Sequence, residues 1–485
     1  MTAWIDNERI WHVTGLAGWL TLNLVTSLHA VLYKRDSRAT LLWVAFIWMS
    51  PGLGALAYGL VGINRIRRRA ATERSTIERY VSRPPAGFCP LEPVARDLPP
   101  EAGHLEPLAR LGEELTGRRL LPGNAIRPLV NGDVAYPQML AAIRQATRSI
   151  SLASYIFDND PTGREFAAAL GAAVRRGVTV RVLVDDAGAR YSVPSILGRL
   201  RREGVRVARF MPRFILLRLA ALNLRSHRKI LVVDGVVGFT GGMNIRHGNR
   251  LLARPRYPVQ DVHFRVEGPV VAHLQEAFVD DWAFCTGERL RGDAWFPELG
   301  NAGELLARGI TDGPDEDLDR LGLTLNGAIN AARHSIRLAT PYFLPDATMV
   351  AALNTAALRG VTVEVLLPSR SNLPFVQWAS MAHWWQVLQW GCEIWLTAPP
   401  FDHTKILLVD GCWALIGSSN IDPRSLRLNF EFNVEVYGRG LAAGLDAILD
   451  ARKAGARRTS LAEMNRRPLP ARLRDGIARL ATPFL

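Results

Sequence analysis

The sequence predicts an α/β fold built as two copies of one unit, preceded by a two-helix transmembrane hairpin. Three observations carry this. The stretch His227-Arg228-Lys229-Ile230-Leu231-Val232-Val233-Asp234 recurs as His403-Thr404-Lys405-Ile406-Leu407-Leu408-Val409-Asp410, 176 positions later (403 minus 227). Helix-like and strand-like patterns alternate in the same order before each copy, as in folds with a largely buried sheet. Two long apolar stretches open the chain.

The first apolar stretch runs from about His12 to Tyr33 and the second from Leu41 to Ile63. Each is near the ~20 residues needed to cross a bilayer. The charged knot Lys34-Arg35-Asp36-Ser37-Arg38 separates them. A cleaved leader would begin with basic residues; here Asp6 and Glu8 lie at the start. Trp11, Trp43 and Trp48 add an interfacial signal, and Pro51 and Gly54 are tolerated in spans. A hairpin puts both ends on one side, with Arg9, Arg65, Arg67, Arg68 and Arg69 there and Lys34, Arg35 and Arg38 in the loop. Five against three favours a cytoplasmic location for the rest of the chain.

The chain has 485 residues, 48% of them hydrophobic, with a net charge of +14 and a pI of about 10.2. That length implies more than one domain, and that charge an anionic partner. Nucleic acid would suit the charge. Against it stand the two apolar stretches and the lack of a basic-aromatic stacking array. Cys89, Cys285, Cys392 and Cys412 are far apart and lack metal-ligand spacing, so they read as reduced thiols. The expected division is a hairpin over 1–70, a Pro-containing linker over 71–120, repeat 1 over 121–300 and repeat 2 over 301–485.

Within repeat 1, Met139 to Thr147 reads as helix, Ser149 to Phe157 as strand, Arg164 to Arg176 as helix and Val178 to Val184 as strand. Repeat 2 follows with Gly327 to Ala332, Ser335 to Phe343 and Met349 to Arg359. Arg359-Gly360-Val361-Thr362-Val363 repeats Arg176-Gly177-Val178-Thr179-Val180 letter for letter. A whole α/β unit is duplicated, rather than a short solenoid repeat. The stretch Arg209–Leu222 sets Arg among large apolar residues. It reads equally as a membrane-surface segment or as a core helix with solvated Arg.

The apolar run after each His-x-Lys reads as a buried strand, which would point His and Lys to the same face. After six intervening residues beyond each Asp come Gly241-Gly242-Met243-Asn244 and Gly417-Ser418-Ser419-Asn420. If the copies converge, His227, Lys229, Asn244, His403, Lys405 and Asn420 share one cleft. Two ammonium groups and two amides would cradle a phosphodiester. Two His residues would serve as nucleophile and general acid. A carboxylate is needed on each second ring nitrogen; Asp261 and Glu431 are the candidates. Asp234 and Asp410 sit at strand ends before Gly and read either as turn residues or as part of the site. The spacing gives no metal cluster, so neither metal nor cofactor is expected.

The full pattern, HxK(x)4D(x)6GxxN, resembles the phospholipase D superfamily signature, in which Asp234 and Asp410 are signature residues. Asn223-Leu224-Arg225-Ser226-His227-Arg228-Lys229 and Asp422-Pro423-Arg424-Ser425-Leu426-Arg427-Leu428-Asn429 resemble stretches of bacterial cardiolipin synthases. So do Gly-Gly-x-Asn in the first copy and the hairpin with Pro51, Gly54, Tyr58 and Gly62. The resemblance implies two repeats packed about a pseudo-twofold axis. It also implies transfer of a phosphatidyl group from one phosphatidylglycerol to another through a phosphohistidine, with glycerol released. The protein would sit in a bacterial inner membrane as a multi-pass protein, with phosphatidylglycerol and anionic lipid as partners and no nucleic acid. A phospholipase D hydrolase or a transferase for another headgroup is the nearest alternative, and a nuclease of the superfamily the next. Spacing does not choose the nucleophile; the resemblance implies His227. Arg225 and Arg228 beside it, and Asp402 beside His403, point weakly the same way.

Overall fold

The computed structural model describes residues 2–34, 37–50, 52–62, 98–210, 224–315 and 317–482. They form an N-terminal apolar unit and a large α/β unit.

The N-terminal unit begins with one helix, Thr2–Tyr33, of which Trp11–Tyr33 is long and apolar enough to cross a membrane. Its 23 residues rise about 35 Å, more than a bilayer's hydrocarbon core. The second expected span is not one. It is a 13-residue helix, Ser37–Met49, followed by Leu53–Ala57 and a π-helical turn, Tyr58–Gly62. The chain goes in and comes back. Trp48 Nε1 donates to Ser27 Oγ at 3.1 Å, yet ten residues later the Tyr58 hydroxyl meets His29 Nδ1 at 2.9 Å. A straight helix would carry Tyr58 about 15 Å beyond Trp48. Gly54 permits the reversal, because a Cβ there would lie 2.4 Å from the Phe46 carbonyl oxygen.

In the α/β unit, repeat 1 supplies β1 (Leu121–Val130), β2 (Ser149–Ser154), β3 (Thr179–Asp185), β4 (Arg206–Phe210), β5 (Arg225–Ser226), β6 (Ile230–Val233), β7 (Val237–Gly241), β8 (Val259–Gln260) and β9 (Val262–Glu267). Repeat 2 supplies β10 (Leu305–Asp312), β11 (Ser335–Ala339), β12 (Thr362–Pro368), β13 (Glu393–Thr397), β14 (Phe401–Asp402), β15 (Ile406–Val409), β16 (Trp413–Gly417), β17 (Asn429–Tyr437) and β18 (Arg457–Thr459). One continuous sheet runs β18-β13-β12-β11-β15-β16-β17-β10-β1-β9-β7-β6-β2-β3-β4. Antiparallel pairing of β1 with β10 joins the two halves. Each half has its own apolar core.

The repeated Arg-Gly-Val-Thr-Val ends a helix and starts a strand in both halves. Helix Pro161–Arg175 is capped by Asp160, which accepts from Gly163 N at 2.8 Å; helix Ala347–Leu358 is capped by Asp346, which accepts from Met349 N at 2.9 Å. Gly177 and Gly360 then take φ of +89° and +90°. That left-handed turn strains a side chain but suits Gly.

Part of the expected linker is folded. Pro100–Leu105 and Glu106–Thr116 are helical and send Ala102, Leu105, Leu108 and Ala109 into the core of repeat 2. There the fully buried pair Arg308–Glu435 takes the Ala109 and Arg118 carbonyls as further partners. Buried charges need such complete pairing. Cys392 and Cys412 are buried free thiols; Cys89 lies outside the described residues. So does most of Arg209–Leu222.

Between the halves, His273 Nδ1 accepts the Gly309 N–H at 3.1 Å, which requires a neutral ring. Burial lowers its pKa to about 3, against ~6.5 when unfolded. Between these values the unfolded chain binds the extra proton, so stability is lost as pH falls from about 6.5 toward 3. His273→Gln keeps an acceptor without a titrating ring. It is expected to flatten this part of a Tm-against-pH profile; an unaltered slope would show that other groups set it.

Candidate active site

Two short strands build the site by pairing across the repeats. β5 pairs in parallel with the start of β17, and β14 pairs in parallel with β8. His227 N then donates to the Phe430 carbonyl at 2.9 Å, and His403 N to the Gln260 carbonyl at 2.8 Å. The next residue on each partner strand is a carboxylate. Each His therefore faces the carboxylate of the other repeat. His227 Nδ1 lies 3.3 Å from Glu431 Oε1, and His403 Nδ1 lies 2.8 Å from Asp261 Oδ2. His and Lys are not on the strand, as the pattern suggested, but one and three residues before it, Lys the nearer. β6 begins to pair with β2 only at Ile230, and β15 with β11 only at Ile406.

Lys229 and Lys405 each donate from Nζ to the carbonyl of the His two residues earlier, at 2.6 Å. Both are buried. Burial lowers both pKa values, that of Lys405 to about 8. Burial also holds both His residues below their ordinary value, and Lys405, Lys229 and His227 push His403 down further. Glu431 is the more firmly ionised carboxylate, because His227, Lys229 and Ser418 outweigh its burial; burial raises Asp261 to about 6. The site at rest thus holds two neutral imidazoles among cationic groups, ready for an anion.

The difference between Gly242 and Ser418 follows from the carboxylates. Ser418 Oγ donates to Glu431 Oε2 at 2.5 Å. At Gly242 a Cβ would sit 2.4 Å from Asp261 Oδ1, so the shorter acid leaves no room for a side chain.

Asp234 and Asp410 are not in the cleft. They take φ of +52° and +53° in the turns before Gly235 and Gly411. Asp234 accepts from the backbone N–H groups of Thr147, Arg148 and Ser149, and Asp410 from those of Arg333, His334 and Ser335. These bonds lower both pKa values and tie each hairpin to the preceding strand. His104 Nε2 meets Asp410 at 2.7 Å as well. Both acids hold their turns, at the far end of the strand from the His.

Asn244 accepts from Ile156 N through Oδ1 at 3.0 Å. Asn420 turns its amide toward Asp422. The residues beside the histidines point elsewhere. Arg228 is buried and donates to Asp281 Oδ1 at 2.8 Å and to the Glu431 carbonyl at 3.1 Å. Arg225 lies by Asp185. Asp402 faces Arg452 at 3.3 Å. None of the three supports a choice between the histidines.

Sequence reasoning missed Tyr155, whose ring centroid lies 4.2 Å from that of His227. It also missed Asn429, whose Nδ2 is 3.1 Å from His227 Nδ1. Arg246 acts electrostatically on His403, and Arg424 on His227, again across the repeats. A signal existed: each Arg falls just past its motif Asn, in Asn244-Ile245-Arg246 and Asn420-Ile421-Asp422-Pro423-Arg424. Among the described residues no group of three His, Cys, Asp or Glu could hold a metal ion. Positive charge comes from Lys and Arg, and the arrangement suits in-line exchange at a phosphodiester.

Residues 139–282 and 325–453 match the family described as cardiolipin synthase, PLD-like domain. The chain is 32% identical to the cardiolipin synthase of Geobacillus kaustophilus, across 94% of this chain and 90% of that one. It is 32% identical to cardiolipin synthase A of Pseudomonas fluorescens, across 96% of each. In fold it is similar to the phosphatidylserine synthase of Haemophilus influenzae, with a TM-score of 0.60 at 15% identity, over 78% of this chain and all of that one.

Proposed function

The chain belongs to the cardiolipin synthase family of phospholipase D-like proteins, and from that premise we propose that it joins two phosphatidylglycerols into cardiolipin and glycerol. The observation that supports this most is the pair of crossed His–carboxylate contacts in one cationic cleft. In this reading His227 Nε2 attacks the phosphorus of the first lipid. The bond to the glycerol oxygen breaks, and His403 supplies its proton. A hydroxyl of the second phosphatidylglycerol then gives a proton to His403 and attacks phosphorus, and the P–N bond breaks. One phosphodiester replaces another, so no nucleotide is required. Asp261 and Glu431 fix the ring orientations. Lys229 and Lys405, with Asn244 and Asn420 once their amides turn inward, hold the phosphoryl oxygens.

The N-terminal unit supports a membrane location. Trp11–Tyr33 anchors the chain in the inner membrane. Because the second apolar segment turns back, its end lies on the side of the Lys34 turn. In sequence, Arg65, Arg67, Arg68 and Arg69 follow that segment, against Arg9 before the first. That excess of basic residues supports a cytoplasmic location for the α/β unit. The proposed division is a membrane unit over 1–70, a connector whose second half belongs to the catalytic fold, and two repeats meeting at β1 and β10.

The test is purified protein with phosphatidylglycerol as sole lipid. Cardiolipin and glycerol in equal amounts are expected. Phosphatidic acid and glycerol, without cardiolipin, would make the protein a hydrolase.

A further inference from the structure

We propose that the C-terminal helix Leu469–Leu480 lies along an anionic bilayer surface and seats the α/β unit on lipid through a contact of its own. The helix is fixed from one side. Ala478 is fully buried with Leu344 and Ala379. Asp475, 1% exposed, takes Arg467 and Arg474, and the Arg474 guanidinium lies 4.5 Å over the Trp378 ring. The other side carries Leu469, Leu473, Ile477 and Leu480, which are 75%, 61%, 57% and 76% exposed. At about 100° per residue these four fall within roughly 80° of arc.

A helix packed on a soluble core normally turns its apolar stripe inward. This one buries an ion-paired acid and exposes its leucines. The stripe therefore has an occupant other than the core of this chain. Its charge says which. Arg466, Arg472 and Arg479 make no ion pair among the described residues. On the helical projection Arg472 and Arg479 border the stripe. An apolar stripe edged by Arg enters the boundary between headgroups and acyl chains, with the guanidinium groups reaching to lipid phosphates. A second copy of the chain fits worse, because a twofold contact through this face would bring unpaired Arg against Arg. The inference does not rest on the reaction proposed above.

The test uses the full-length chain reconstituted in vesicles of phosphatidylcholine with phosphatidylserine, which is not the proposed substrate. An environment-sensitive fluorophore is placed on Leu473→Cys. The chain without that substitution, labelled in parallel, supplies the background from the native cysteines. Blue-shifted emission is expected, with several-fold quenching by lipids brominated near the headgroup. Both should weaken in vesicles of phosphatidylcholine alone and when Leu469 and Ile477 are also replaced by Ser. Emission like that of a label on exposed Arg457→Cys, without quenching, would overturn the proposal. A blue shift that is not quenched and disappears on dilution to one chain per vesicle would assign the stripe to a second copy and overturn it equally.

Discussion

His227→Ala is expected to form no covalent adduct with labelled phosphatidylglycerol, whereas His403→Ala still acquires label on His227 in acid-quenched reactions. Turnover should fall by about 10³-fold or more in both variants, the scale of losing a nucleophile or a general acid. Two observations frame the expectation. Burial keeps His227 below its ordinary pKa, so its ring is neutral at neutral pH, and a proton held on Nδ1 toward Glu431 leaves the lone pair on Nε2. His403 is held neutral too, chiefly through burial and then Lys405 and Lys229. An arriving phosphodiester carries the charge that offsets those lysines and restores the proton a leaving-group acid needs. Without His403 the leaving glycerol lacks its proton donor, so adduct forms slowly but still forms. Label on His403, with adduct persisting in His227→Ala, would reverse the roles and leave the two-histidine exchange in place.

The carboxylate variants are expected to act across the repeats. Glu431→Gln should slow adduct formation at His227, and Asp261→Asn should slow the proton transfers at His403, each within the 10²–10⁴-fold range of general acid-base catalysis. The geometry gives the reason: Glu431 lies against His227 and Asp261 against His403. An amide keeps the shape but removes the charge that orients the ring and stabilises its protonated form. The readout is rapid-quench kinetics as a function of pH. Asp261→Asn should move the limb of the profile that follows the general acid, and Glu431→Gln the rate of label uptake. Equal slowing of both steps in both variants, with unmoved limbs, would reduce the acids to structural parts.

The duplicated His-x-Lys, the Asn after it and the two acids were legible as candidates because phosphodiester chemistry asks for those residue types and each motif is a short local stretch. The repeated Arg-Gly-Val-Thr-Val was legible for a like reason: a left-handed Gly ending a helix and a β-branched start are local choices. The second apolar stretch was misread because composition reports that a segment is apolar, not that it turns. The close approach of Gly54 to Phe46 and Ile47 decides that. Asp234 and Asp410 look catalytic in a motif, yet their partners are backbone N–H groups at Thr147–Ser149 and Arg333–Ser335, far away in sequence.

By itself, then, the sequence determined the class of fold and pointed to most of the groups that meet in the cleft, since residue type and local spacing carry that information. Only the tertiary structure decided which acid serves which His, because two-residue strands β5 and β14 pair with the opposite repeat. It also decided that the motif Asp residues hold turns, and that the last helix shows its leucines to the outside. Those outcomes depend on which distant surfaces meet, and no short-range pattern encodes that.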